Sequence, residues 1–255
     1  MYSPNDYDLF MFFILICKKH NIPYVIPETL KGNMYLEDLF VRWHCFGTHL
    51  PFYRRLEFPL YLKNNQAPIF AVPLIMRHRD CKNAQREDKH ACMLVYVRNE
   101  KALYFYDPTY NNSDYDIKKL YNELVIKFTL MGHLVTEVKI PKTMCLQGKQ
   151  ECEIARSDRI LGDTIGFCSI WSIHFLDHFF TGEKTIRTSS LTVYIKDYLE
   201  SLIKMRREFE NKLPKKDYEA FYLIKKRQMG NPDKSVNNWA EITMKMLETF
   251  RLGSY

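Results

Sequence analysis

The chain has 255 residues, 46% of them hydrophobic and 15% aromatic, enough apolar side chain for a full core, which excludes intrinsic disorder as the default. A charged fraction of 26% and a formal net charge of +7 amount to a modest basic excess, short of a nucleic-acid-binding signature. Seven cysteines, an odd number with no CxxC pair, argue against a disulfide framework or a zinc ribbon and fit a reducing intracellular compartment.

The run Leu9 to Cys17, LFMFFILIC, is about half of the roughly 20 residues that a membrane-spanning helix needs, so it is expected as a buried element. It has no preceding basic residue and is followed by Lys18, Lys19 and His20, which speaks against a secretory signal peptide. Met34 to Cys45 carries apolar residues at three- and four-residue spacing and predicts a helix, with proline-punctuated loops around Pro23, Pro27 and Pro51. From Ala67 to Tyr106 three β-rich runs follow, IFAVPLIM, HACMLVYV and ALYFYDP. The last two are joined by four polar residues and predict an antiparallel hairpin. Asp116 to Met131 predicts a helix, His133 to Ile140 a strand, and residues 166–180 an apolar helix after an irregular polar loop. Beyond Gly182, helices are expected over Ser190 to Arg207, Lys216 to Arg227 and Trp239 to Phe250, whose basic faces are expected to be solvated. The domain expectation is a unit over 1–182 with its core at 67–182, and a basic helical extension over 183–255, packed on it or appended to it.

Thiol chemistry needs a thiolate, an imidazole to generate it, a group that orients the imidazole, and donors for an oxyanion. Cys168 follows Gly166-Phe167 and opens the apolar helix, where unpaired N–H groups and the helix dipole favour a negative sulfur. His90 lies where the polar loop enters the second strand, and Asp107 where the third gives way to Pro108. Strands of about eight residues span roughly 27 Å, so in a hairpin the start of one and the end of the next lie side by side, as an orienting His–Asp pair requires. Each residue also has a plain structural role open to it: a core cysteine, a loop histidine, a turn-forming aspartate.

A strand with His90, the step Tyr106-Asp107-Pro108, the segment Cys145, Gln150 and Glu153, then Gly162-Asp163, Gly166-Phe167-Cys168 and Trp171-Ser172, resemble the adenain and SUMO-protease superfamily of cysteine peptidases. The likeness extends to the Ulp-like protease homologues of large DNA viruses and covers residues 67–182, with an echo at Arg42-Trp43. It implies an α+β, papain-like fold with a central, mostly antiparallel sheet flanked by helices and the nucleophile at a helix N-terminus. It further implies Cys168 as nucleophile, His90 as general base, Asp107 as its orienting partner, and Gln150 as side-chain oxyanion donor beside the Cys168 N–H. Gln147 is the alternative donor. In the SUMO proteases the glutamine lies much nearer the cysteine, and Asp-Cys-Gly stands where this chain has Phe-Cys-Ser.

His174 and His178 are four apart on one predicted helix with Asp177 between them, a spacing that suits zinc, but the glutamate of HExxH is missing. Cys145 with Cys152, and Cys81 with His90 and Cys92, have poor ligand spacing; no metal, cofactor or phosphate loop is expected. The reading is a thiol hydrolase acting on peptide or isopeptide bonds, including those of ubiquitin-like proteins by resemblance. An acyltransferase using the same triad, and an inert relative that binds a protein partner, are the alternatives. Polypeptide is the expected partner, in an intracellular setting, with no membrane.

Overall fold

The computed structural model describes residues 6–22, 40–46, 55–59, 62–63, 65–79, 87–108, 117–141, 168–182 and 191–212. Its elements in chain order are α1 (Asp6–Lys19), β1 (Val41–Phe46), β2 (Arg55–Glu57), β3 (Ile69–Arg79), β4 (Glu87–Val97), β5 (Ala102–Tyr106), α2 (Ile117–Leu130), β6 (Glu137–Lys139), α3 (Cys168–Thr181) and α4 (Leu191–Glu210). The strands form one mixed sheet in the order β2-β1-β3-β4-β5-β6. The pairs β1/β2, β3/β4 and β4/β5 are antiparallel, while β1/β3 and β5/β6 are parallel. The class is α+β, with a mixed sheet flanked by helices.

Both faces of the central strands are covered, which is why their sequences read as continuous apolar runs rather than as alternation. Ala71, Ile75, Ala91, Met93, Val95 and Tyr106 pack against α1, α3 and α4. Phe70, Val72, Cys92, Leu94, Leu103 and Phe105 face the other way, onto Leu120, Leu124 and Phe128 of α2. Pro73 is tolerated inside β3 because the pairing with β1 starts only at Leu74, leaving an edge at the proline. The whole run Leu9 to Cys17 is buried, as befits a helix apolar on every side that is wedged between the sheet, α3 and α4. None of the helices among the described residues is long and apolar enough to cross a membrane.

Three expectations are corrected. Of the helix expected over 34–45, residues 34–39 lie outside the described residues and 41–45 belong to β1 instead, in which Val41 and Trp43 are buried and Arg42 between them is half-buried and bonded to Glu57 at 2.7 Å. Period-two burial beside the free edge of β3 overrode a spacing that also suits a helix. The strand expected over 133–140 shortens to Glu137–Lys139; His133 instead bonds the Leu62 carbonyl and sits among Phe70, Tyr96 and Phe128. The hairpin of β3 and β4 runs on to Arg79 and Glu87, so His90 is the fourth residue of its strand rather than its first. Ladder bonds are made by the backbone, and polar side chains do not end them.

The expected helix at 190–207 is present as α4, and Ile195, Leu199 and Leu202 join the core of α1 and α3. It is therefore packed on the unit, not merely appended. Lys204 and Arg207 are exposed, but Arg206 is buried with its guanidinium 5.7 Å from the Phe12 ring centre. The helices expected at 216–227 and 239–250 lie outside the described residues.

Candidate functional site: a thiol, an imidazole and a carboxylate

The register of the sheet sets the site. Met93 pairs with Tyr106 at the end of the β4/β5 ladder, so one step further Cys92 stands opposite Asp107, with His90 two residues along the same face. The His90 ring closes on the carboxylate, with Nε2 2.7 Å from Asp107 Oδ1. Both residues are buried, His90 8% and Asp107 1% exposed.

Continuing the register places Pro108 opposite Ala91. Proline has no N–H to donate, so the ladder stops there and the polar groups of Ala91 need other partners. Helix α3 supplies them. Ser172 Oγ donates to the Ala91 carbonyl at 2.9 Å, and the Ala91 backbone is among the groups that hold the Cys168 thiol down. Cys168 thus occupies the place at the sheet end that β5 vacates.

Aromatic contacts fix the direction of α3. Tyr106 stacks on Phe175 with centroids 4.5 Å apart and planes at 6°, and Tyr104 meets Phe179 edge-on at 5.0 Å. Two strand residues advance about 6.7 Å and four helix residues about 6 Å, so the repeats match with β5 and α3 running in opposite directions. The N-terminus of α3 therefore lies at the Asp107 end of β5, and Cys168, its first residue, is partly exposed there. Beneath it Trp171 is fully buried and stacks on Tyr194 of α4.

The electrostatics favour a charged pair. Burial raises the Cys168 thiol, but the hydrogen bond and charge of His90, the Ala91 N–H and the Ser169 hydroxyl outweigh it and bring the group below its ordinary value. Burial lowers the His90 imidazole, yet Cys92, Asp107 and Cys168 together hold it well above its ordinary value. Burial also pushes the Cys92 thiol up to about 12. Cys92 is thus neutral near pH 7, so the raising effect of its charge on His90 is absent there, and Asp107 and Cys168 are the negative partners that remain. Both shifts run in the direction of a thiolate–imidazolium pair at the helix N-terminus, where the macrodipole also favours negative charge.

Of the expected site residues, the fold brings together His90, Asp107 and Cys168. Gln150, Gln147, Cys145, Glu153, Gly162, Asp163 and Gly166 lie outside the described residues, as does Cys81. The role of Cys92 escaped notice in the sequence, although its position two after His90 on a strand was the available signal. Ser172, four after Cys168 on one helix face, escaped likewise.

His174 and His178 do share a helix face, with ring centroids 3.9 Å apart. His174 is spent otherwise: it is buried, its Nε2 lies 2.6 Å from the Tyr194 hydroxyl, and burial followed by the neighbouring His178 takes its basicity down to about 2. Asp177 between them bonds Lys19 at 2.8 Å, His20 at 2.5 Å and Tyr198 at 3.1 Å, fastening α3 to α1 and α4.

No family model, no curated protein and no solved structure matches this chain.

Proposed function

We propose that the protein is a thiol hydrolase of the adenain and SUMO-protease type, cleaving peptide or isopeptide bonds with Cys168 as nucleophile, His90 as general base and acid, and Asp107 orienting His90. The observation that carries this reading is the contact of a helix-N-terminal thiol with an imidazole whose far nitrogen is 2.7 Å from a buried carboxylate. With Nε2 taken by Asp107, Nδ1 is the nitrogen left for the sulfur. The thiolate attacks the scissile carbonyl, and the oxyanion receives the Cys168 N–H at the start of α3, where helix N–H groups lack intrahelical partners. Gln150 is proposed as the side-chain donor. His90 then protonates the leaving amine, the acyl-enzyme forms, and water activated by the neutral imidazole releases the acid.

The proposed substrates are polypeptides, ubiquitin-like conjugates first among them on the strength of the resembling motifs. Ubiquitin- and SUMO-based electrophilic probes, with adduct mapping by mass spectrometry, test this. A covalent adduct at Cys168 with one probe, lost in Cys168→Ala, is expected. If neither probe reacts while short peptide substrates are cleaved, the ubiquitin-like specificity is wrong; no reaction with any acyl substrate removes the hydrolase reading.

A further inference from the structure

Cys92 lies in the same corner of the sheet as the triad but takes no part in its chemistry. His90 and Cys92 are two apart on β4 and so face the same way, and the register that pairs Met93 with Tyr106 sets Cys92 opposite Asp107 on the neighbouring strand. Among the described residues, three metal-ligating side chains converge here: one ligand atom each from His90, Cys92 and Asp107, all within 4.8 Å of one another. All three residues are buried. Cys92 packs in the core on the α2 face of the sheet and Cys168 against the core on the other face, so the cluster is formed without the Cys168 sulfur.

We propose that His90, Cys92 and Asp107 form a binding site for one divalent cation of the zinc class, held across β4 and β5. An imidazole nitrogen, a sulfur and a carboxylate oxygen are a mixed donor set that zinc accepts, whereas magnesium and calcium take oxygen. Zinc–ligand bonds of roughly 2.0–2.3 Å in a tetrahedron put donor atoms about 3.3–3.5 Å apart. The cation therefore enters by widening the 2.7 Å contact between His90 Nε2 and Asp107 Oδ1 and drawing the Cys92 sulfur in, shifts of about 1 Å that side-chain rotation supplies. Charge suits the place as well: a dication with one thiolate, one carboxylate and one neutral imidazole is neutral overall, so no net charge is left buried. Of the three residues His90 is the most exposed, at 8%, so the fourth position, open to water, faces the His90 edge.

The proton that His90 Nε2 shares with Asp107 and the proton of the Cys92 thiol leave to solvent as the metal–nitrogen and metal–sulfur bonds form, and no oxidation state changes. The donor set follows from the sheet register and does not need the hydrolase reading. Its consequence rests on that reading: with Nε2 on the metal, the ring cannot take up a second proton, so His90 no longer serves Cys168 as base and acid, and the cation is a reversible brake.

The full-length protein, freed of metal with a chelator and kept reduced with a phosphine, is titrated with cobalt(II) and followed by absorption. One equivalent should give the visible bands of a tetrahedral site and a thiolate-to-metal charge-transfer band, both displaced by zinc. Loss of outer partners alone costs 10–100-fold in metal affinity, so removing a direct ligand in Cys92→Ser is expected to weaken binding by at least about a hundredfold and to abolish the charge-transfer band. Asp107→Asn should weaken binding comparably and carries the test if Cys92→Ser does not fold. Cys168→Ala should keep all the bands. No bands in the wild type, bands lost in folded Cys168→Ala, or binding unchanged in either folded ligand variant overturns the proposal. Cobalt binding of the expected pattern in a protein that cleaves no acyl substrate upholds the cation site and removes the hydrolase reading, and cleavage by a protein that binds no cobalt does the reverse. Where the protein both cleaves and binds, loss of general acid–base catalysis should cut turnover at least about a hundredfold with one equivalent of zinc, restored by a chelator; unchanged turnover removes the brake.

Discussion

Replacing Asp107 by Asn keeps the shape at the end of β5 and removes the charge that holds the imidazolium. The carboxylate is 1% exposed and 2.7 Å from His90 Nε2, so solvent cannot replace it. A hydrogen bond to a charged group contributes about 1.5–3 kcal/mol, and 1.36 kcal/mol is one pKa unit. His90 should therefore lose a substantial part of its raised basicity, and the Cys168 thiolate should become correspondingly scarcer at neutral pH. Because the proposed active pair is thiolate plus imidazolium, the wild-type rate of Cys168 alkylation should rise with pH below 9.0, and acyl transfer should persist to pH well above 6.5 before falling as His90 deprotonates. In Asp107→Asn the alkylation limb should move to higher pH and the rate at pH 6.5 drop by up to about tenfold, with thermal unfolding showing a folded protein. A pH–rate profile that superimposes on the wild type would refute the reasoning, since it would mean that His90 does not depend on Asp107.

Three further substitutions test the scaffold. Trp171→Ala empties a fully buried site between α3, β4 and α4 and should cost about 3–5 kcal/mol in denaturant unfolding; a cost under 1 kcal/mol would contradict the described core. Ser172→Ala leaves the Ala91 carbonyl without the donor at 2.9 Å and should cost about 1–3 kcal/mol while slowing Cys168 alkylation. An unchanged rate would show that this bond does not place the thiol. Asp177→Asn weakens the tie to Lys19, His20 and Tyr198 and should cost about 1–3 kcal/mol at pH 7, with little of it from the half-exposed Lys19 because solvent screens it. Burial raises Asp177, but those partners outweigh it and lower the group below its ordinary 3.8. Its stabilisation is therefore present above that value and lost as pH falls through the folded one. Acid unfolding should be less steep in the variant, and an identical acid profile would show that Asp177 is not held charged.

The hairpin logic was legible because period-two geometry is local: apolar runs of strand length joined by four polar residues, RNEK, leave few registers open, and one of them sets His90 beside Asp107. The apolar helix at 168–181 was legible for the same reason. What composition could not reveal is long-range. β1 carries a helix-compatible spacing and became a strand because β3 offered an edge beside Pro73. Cys92 looked like poor ligand spacing to His90 when the chain was read as a linear motif, yet two residues on a strand are neighbours on one face. The capping of Ala91 by Cys168 and Ser172 follows from the missing N–H of Pro108, a consequence that needs the register in hand.

The central claim is that Cys168 is an activated thiolate because of His90. An unperturbed thiol with a pKa near 8.5 is about 1% ionised at pH 6.5; an ion-paired thiolate is largely ionised, and even after the lower nucleophilicity of a less basic sulfur it should react about tenfold faster. The direct measurement is the rate of iodoacetamide alkylation at each of the seven cysteines at pH 6.5, mapped by mass spectrometry, in the wild type and in His90→Ala. The account predicts Cys168 as the fastest site, falling to the rate of an ordinary exposed thiol in the variant. Labelling of Cys168 no faster than the other cysteines, and unchanged by His90→Ala, would contradict it.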